Sequence, residues 1–124
     1  MDAKILLFHI NLEKKVRILA LCRQLEMEPV VVEKAKYHQQ MGVLAGIVGF
    51  KEKGGRFEGK ELPGEMMVFS GMDENMLDMF LAEYKKAGIA PIALKAVLTP
   101  HNIRWTPEEL FRELMGEHQT FLSV

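Results

Sequence analysis

Four apolar runs recur along the chain, and stretches of other periodicity separate them. Ile5 to Ile10 (ILLFHI) is continuous enough for a strand buried on both faces. Asn11 then suits a helix N-cap. Leu12, Val16, Leu19 and Cys22 follow at helical spacing, with Ile18, Leu21 and Leu25 widening the stripe and Lys14, Lys15, Arg17 and Arg23 off it. Pro29 precedes the β-branched triplet Val30-Val31-Val32, a second strand. A third strand is read at Met66 to Phe69. A helix follows with Met76, Leu77, Phe80, Leu81 and Tyr84 on one face, capped by Ser70 or Asp73, with Lys85 and Lys86 in its last turn and Gly88 beyond its end. The fourth strand runs from Ile92 to Leu98, and Thr106-Pro107-Glu108-Glu109 opens a last helix to residue 116. Beyond it the tail is expected to fray unless Phe121 and Leu122 dock.

Residues 33–64 break the rhythm. Lys36 to Ala45 suits a short helix, weakened by glycine at about 1 kcal/mol per interior position. Phe50 to Gly64 is rich in glycine and charge and reads as a loop, with Lys51 to Glu61 its most mobile part.

The two halves repeat one plan. Ile5-Leu6-Leu7-Phe8 aligns with Met66-Met67-Val68-Phe69, and Met27-Glu28-Pro29-Val30 with Ile89-Ala90-Pro91-Ile92, at offsets of 61 and 62 residues. Two βαβ units in tandem predict an α+β fold of the ferredoxin-like type: a duplicated βαβ forming a four-stranded antiparallel sheet with helices on one face. The single domain 1–124 then divides into repeats 4–32 and 65–98, a linker 33–64 holding a short helix and loop, and an extra C-terminal helix over 106–116. A doubly wound parallel α/β sheet is the alternative.

Composition narrows the function classes. At 124 residues, 48% hydrophobic and 27% charged, the chain suits one soluble domain. Sixteen basic residues against seventeen acidic ones leave a net charge of −1, which argues against nucleic acid; Glu52, Glu58 and Glu61 dilute the one basic stretch, Lys51, Lys53, Arg56 and Lys60. One cysteine, Cys22, permits no internal disulfide and favours a reducing compartment. The N-terminal apolar run reads as a strand rather than a signal peptide, and no stretch nears the roughly 18 apolar residues a membrane span needs. A cytoplasmic protein is expected.

The candidate chemistry gathers where the fourth strand ends. Lys95 interrupts the apolar run, and Thr99, His101, Asn102, Arg104 and Trp105 crowd the exit. A buried strand feeding polar groups into a loop is where an α/β-type domain places a site. Lys95, Thr99, His101 and Asn102 are therefore candidate ligand-binding residues, with Tyr37, His38, Gln39 and Gln40 a second wall. Each also has a plain structural role open to it: Lys95 on a solvated sheet face, Thr99 ending a strand, His101 and Asn102 in a turn, and Trp105 stapling onto Leu110. His9, His38, His101, His118 and Cys22 form no close ligand pair, so no metal is expected; His9 inside an apolar strand suits a core histidine. Ser70-Gly71 lacks the glycines of a nucleophile elbow, and Gly42, Gly46 and Gly49 match no phosphate loop.

GVLAGIVGF, MMVFSGM and APIALKAVLTPHNIRWTPEEL, spread over most of the chain, resemble a family of short bacterial proteins known only as a domain of unknown function. The specific part is Lys95 to Pro100 with Trp105-Thr106. The resemblance implies a cytoplasmic bacterial protein and no activity, cofactor or catalytic residue. The residues themselves point to a non-enzymatic regulatory module, without cofactor, that binds a small metabolite or a partner protein. An enzyme with a polar site at Lys95 and His101 and a structural oligomer, such as a homodimer joined through its sheet face, stay open.

Overall fold

The structure is a computed structural model that describes residues 2–122, with side chains through Glu117. Its elements are β1 (Lys4–Phe8), α1 (Leu12–Gln24), β2 (Glu28–Val32), a 3-10 turn (Lys34–Lys36), α2 (Met41–Leu44), β3 (Met66–Ser70), α3 (Glu74–Lys86), β4 (Leu94–Val97) and α4 (Pro107–Leu122). The four strands form one mixed sheet in the order β2-β1-β3-β4. β1 pairs parallel with β2, and β3 parallel with β4; only β1 and β3 meet antiparallel, with Leu6 opposite Val68.

Two βαβ units are thus present, but the antiparallel ferredoxin-like sheet is not. In that fold each unit leaves a gap that a strand of the other fills. Here each unit closes on itself, and the two meet back to back. Burial gives the physical reason. Ile5, Leu7, Met67 and Phe69 pack under α1 and α3 with Ile18, Leu21, Cys22, Phe80 and Tyr84. Leu6, Phe8, Met66 and Val68 point the other way, into a second core with Tyr37, Met41, Leu62, Leu110 and Phe111. Both faces are covered, as continuous apolar strands such as ILLF and MMVF require. The linker and α4 are the second cover.

Several boundaries differ from those expected. β1 ends at Phe8, so His9 is no core histidine: it is exposed, with φ at 55°. On α1 the buried face is Ile18, Leu21 and Cys22, whereas Leu12 and Val16 are 70% and 57% exposed. The helix expected over 36–45 shrinks to a 3-10 turn and one turn of α2. Asp73, not Ser70, caps α3: its Oδ1 accepts the Met76 N–H at 2.8 Å, while Ser70 ends β3 as a buried residue. β4 starts at Leu94 rather than Ile92. The alignment of Ile5–Phe8 with Met66–Phe69 is one residue out: Ile5 and Leu7 share their face with Met67 and Phe69, whereas Met66 and Val68 point the other way with Leu6 and Phe8. The box that opens α4 is as read: the Thr106 N–H donates to Glu109 Oε1 at 2.9 Å, and Thr106 Oγ1 accepts the Glu109 N–H at 3.3 Å. α4 continues past Gly116 to Leu122; His118, Phe121 and Leu122 lie outside the described side chains.

Candidate functional site

The exit of β4 is built as scaffold. Asn102 is buried, and its amide is spent on the main chain: Oδ1 accepts the Thr99 N–H at 2.9 Å, and Nδ2 donates to the Val97 carbonyl at 3.1 Å. Thr99 Oγ1 accepts the His101 N–H at 3.2 Å. Side chains thereby mimic the ladder that the strand has just left. His101 is exposed and sets its ring edge-on to the half-buried Trp105, with centroids 5.0 Å apart. Carbonyls of this turn then hold α2: Trp105 O accepts the Met41 N–H at 2.7 Å, and Ile103 O the Gly42 N–H at 2.8 Å. These donors are ones a helix start cannot satisfy internally.

The two walls expected from the sequence, 37–40 and 99–105, therefore do come together, through α2. Lys95 does not join them. It lies beside Met67 in register, hence on the α1 and α3 face, and its Nζ donates to Ile92 O at 2.6 Å. His101 and Lys95 sit on opposite sides of the sheet. Gln39 is buried and clamps the linker: its Oε1 accepts the Lys53 N–H at 2.8 Å, and its Nε2 donates to Lys53 O at 2.7 Å. His38 Nε2 lies 3.1 Å from the same Gln39 nitrogen, and Gln40 precedes α2 without a side-chain cap bond. Arg104 stacks its guanidinium over the Phe50 ring at 5.3 Å.

Tyr37 is the member of this set that points to chemistry elsewhere. Its ring is 1% exposed, between Phe8 and Phe57. Its hydroxyl is buried without a hydrogen-bond partner among the described residues. Burial first, and then the neighbouring Glu61 carboxylate, push the phenol pKa far above its ordinary value, although the approach of Glu61 falls short of a hydrogen bond in this conformation.

Glu61 lines a cavity of about 350 Å³ at the carboxyl ends of the parallel pair β1 and β2, with Leu7, His9, Ile10, Lys15, Val31, Val32, Glu33 and Lys34. Ligands of open α/β sheets bind at this end of the strands, where loops diverge and side chains converge. Three basic or titratable groups face two carboxylates there. His9 reaches the cavity from a left-handed backbone, a conformation uncommon for a non-glycine residue and often met at functional loops. The helix start beside it is already closed, since Glu65 Oε2 accepts the Asn11 N–H at 2.8 Å. A larger groove of about 540 Å³ runs between Leu62-Pro63 and Phe111 with Met115; Glu61 borders it too, beside Lys60, and its other two charges, Glu108 and Arg112, pair with each other at 3.2 Å. Convergent polar groups single out the smaller cavity.

None of the residues lining this cavity was among the candidate ligand-binding residues read from the sequence. One signal was available: His9-Ile10-Asn11 stands between an apolar strand and a helix, the first βα turn of the chain. Reading His9 as part of the strand concealed it. Among the described residues no three His, Cys, Asp or Glu side chains are placed to share a metal ion. Cys22 is fully buried, which raises its pKa to about 11 and removes it as a thiolate nucleophile. Among the described residues no helix is long and apolar enough to cross a membrane.

The class that fold and cavity define is an α+β domain of two βαβ units joined through one antiparallel pair, with its open strand ends offering a polar pocket. Within it, residues 65–121 match the model of a family described as a domain of unknown function (DUF3783). The match spans the second βαβ unit, the turn at Asn102 and nearly all of α4. The resemblance carried by Lys95–Pro100 and Trp105-Thr106 falls inside it, whereas GVLAGIVGF does not. No curated protein and no solved structure matches the chain.

Proposed function

We propose that this chain is a regulatory binding module whose ligand is a small polar metabolite held at the carboxyl ends of β1 and β2. One observation carries the reading: His9, Lys15 and Lys34 meet Glu33 and Glu61 around one cavity of about 350 Å³. That volume suits a small metabolite. The mixed signs favour a ligand that bears both an acid and an amine, an amino-acid-like zwitterion, because a ligand of one sign would leave part of the lining opposed. Lys15 would hold the acid, and Glu33 and Glu61 the amine, while Lys34 borders the cavity with its ammonium on Gly59 O. Metabolite binding at β4 through Lys95 with His101 has less support, since they stand on opposite faces and Asn102 is committed to the main chain.

A thermal-shift screen against zwitterionic, anionic and cationic metabolites tests this, followed by amide NMR shift mapping. Zwitterions should stabilise the protein by mass action and move the amides of His9, Glu33 and Glu61. Lys15→Ala and Glu61→Gln should each remove the response without unfolding the chain. A response that survives both substitutions, or shifts centred on residues 99–105, would refute this site.

A further inference from the structure

The two edges of the sheet are not protected alike. β4 carries a charged residue, Lys95, on its four-residue strand, a common device against edge pairing. β2 has an edge-blunting proline, Pro29, only near its start, and follows it with Val30-Val31-Val32. The Glu28 N–H donates to Ala3 O at 3.0 Å, so Glu28, Val30 and Val32 direct their main-chain groups to β1. By the alternation of a parallel ladder, Pro29, Val31 and Glu33 direct theirs away from the sheet. Proline is placed where its missing N–H leaves no ladder bond unmade. Glu33 keeps the extended backbone, with φ −79° and ψ 148°, so the free edge runs one residue past β2.

Apolar surface flanks this edge on both faces. On one face Val31 is 44% exposed, and Leu12 and Val16 stand exposed on α1. Lys14 and Arg17 reach toward α3, bonding Pro91 O, Ala87 O and Gly88 O. At 3.6 residues per turn, Leu12 and Val16 therefore lie on the opposite flank of α1, the β2 side. On the other face a cleft of about 290 Å³ runs between Val30, Val32, Val43 and Leu44, with Glu33, Lys36, Gln39 and Glu52 also on its lining.

We propose that a second copy of this chain covers this edge, pairing β2 antiparallel to β2 about a twofold axis at Val31 and continuing the sheet to eight strands. The inference goes beyond the ligand reading and does not rest on it. The segment Glu28-Pro-Val-Val-Val-Glu-Lys34 is self-complementary in this register alone. Val31 meets Val31 of the second copy, Val30 meets Val32, and Glu28 comes opposite Lys34. Both charge pairs then have opposite signs, whereas a parallel pairing in register would set like charges together. Val31 exchanges both its main-chain bonds across the axis, and Pro29 O accepts the Glu33 N–H. The exposed Leu12 and Val16 pack against their counterparts, α1 on α1, and the cleft beside Val43 receives the second copy's β2 side chains.

Light scattering and sedimentation across a dilution series test the pairing on the full chain. The expected result is a reversible dimer that Val31→Lys makes monomeric while helical circular dichroism is unchanged. Leu12→Glu with Val16→Glu should weaken it. Glu28→Lys and Lys34→Glu, both at exposed sites, should each weaken it and the double reversal should restore it, with circular dichroism checking that loss of the Lys4–Glu28 pair and of the Lys34 bond to Gly59 O leaves the fold intact. A chain that stays monomeric at its highest concentration overturns the proposal. So does a dimer that both Val31→Lys and the single charge reversals leave intact, or a double reversal that restores nothing.

Discussion

Glu65 closes the start of a helix that lies 54 residues before it. Its Oε2 accepts the Asn11 N–H at 2.8 Å, and its Oε1 takes the Lys14 ammonium at 2.5 Å, with only 15% and 22% of the Lys14 and Glu65 side chains exposed. Asn11 caps α1, its Oδ1 accepting the Lys14 N–H at 3.2 Å, and the residue before β3 anchors that cap, so the two βαβ units are tied together outside the sheet. A carboxylate at a helix start also meets the positive end of the helix dipole. Burial works to raise the Glu65 pKa, but the Asn11 N–H and Lys14 together outweigh it, and the net shift is downward. A depressed carboxyl contributes stability that is present above its unfolded pKa and is lost as pH falls through its folded pKa. Glu65→Gln should therefore cost about 1–3 kcal/mol at neutral pH. The gap to wild type should narrow as urea melts are repeated down to about pH 3. A constant gap across that range would show that the charge is not what matters.

Asn102 should behave as a core residue of the turn. Truncation to alanine leaves the Thr99 N–H and the Val97 carbonyl without their partners, and the side chain is only 8% exposed. Loss of about 1–3 kcal/mol is expected in denaturant unfolding. His101→Ala, which removes an exposed ring resting on Trp105, should stay within about 0.5 kcal/mol. Equal effects of the two substitutions would contradict a structural role for Asn102 and a marginal one for His101.

The two βαβ units, α1, α3 and the Thr106 box were legible because each rests on local rules: apolar periodicity, capping chemistry and turn residues. The sheet order was not. Whether a βαβ unit closes on itself or leaves a gap depends on what covers the far face, and residues 33–64 cover it with scattered anchors such as Tyr37, Met41 and Leu62 rather than a periodic stripe. The clue lay in β1 itself, since a strand apolar on both sides implies two covers. Leu12 and Val16 show the opposite failure. They fit the helical stripe, and only tertiary placement exposes them. The polar residues of 99–102 were visible as a cluster, but whether an amide serves a ligand or a main-chain turn depends on distances that spacing does not carry. His9, Lys15, Glu33, Lys34 and Glu61 come from separate segments, and only the fold gathers them.

Tyr37 should tolerate the loss of its hydroxyl better than its burial suggests. The oxygen is buried without a partner among the described residues, and the nearby Glu61 carboxylate disfavours the phenolate further. A buried polar group without a bond carries its desolvation penalty unrelieved, about 1–3 kcal/mol. Tyr37→Phe keeps the packing on Phe8 and Phe57 and should leave stability unchanged or raise it by about 1 kcal/mol. A clear loss in thermal or urea unfolding would mean that the hydroxyl engages Glu61 in solution, and would place Tyr37 in direct support of the cavity.

Gln39 should decide how tightly the linker is held. Residues 51–56 are exposed and rich in glycine and charge, the composition of a segment that opens easily. Yet the chain there is pinned. The Gln39 amide makes two bonds to the main chain of Lys53, Lys36 pairs with Glu52 at 2.6 Å, Lys34 donates to Gly59 O at 3.1 Å, and the Phe57 N–H donates to Ala35 O at 3.0 Å. The Lys36 pair is exposed, so salt should screen it and its removal should matter little. The Gln39 bonds are buried, and nothing replaces them when the amide is gone. Gln39→Ala should therefore speed tryptic cleavage at Lys51, Lys53 and Arg56 far more than Glu52→Gln does. Because Phe57 packs on Tyr37 and the linker forms part of the second cover of the sheet, the same substitution should also lower global stability by about 1–3 kcal/mol. Cleavage that begins in α3, or that speeds up equally in both variants, would count against the clamp.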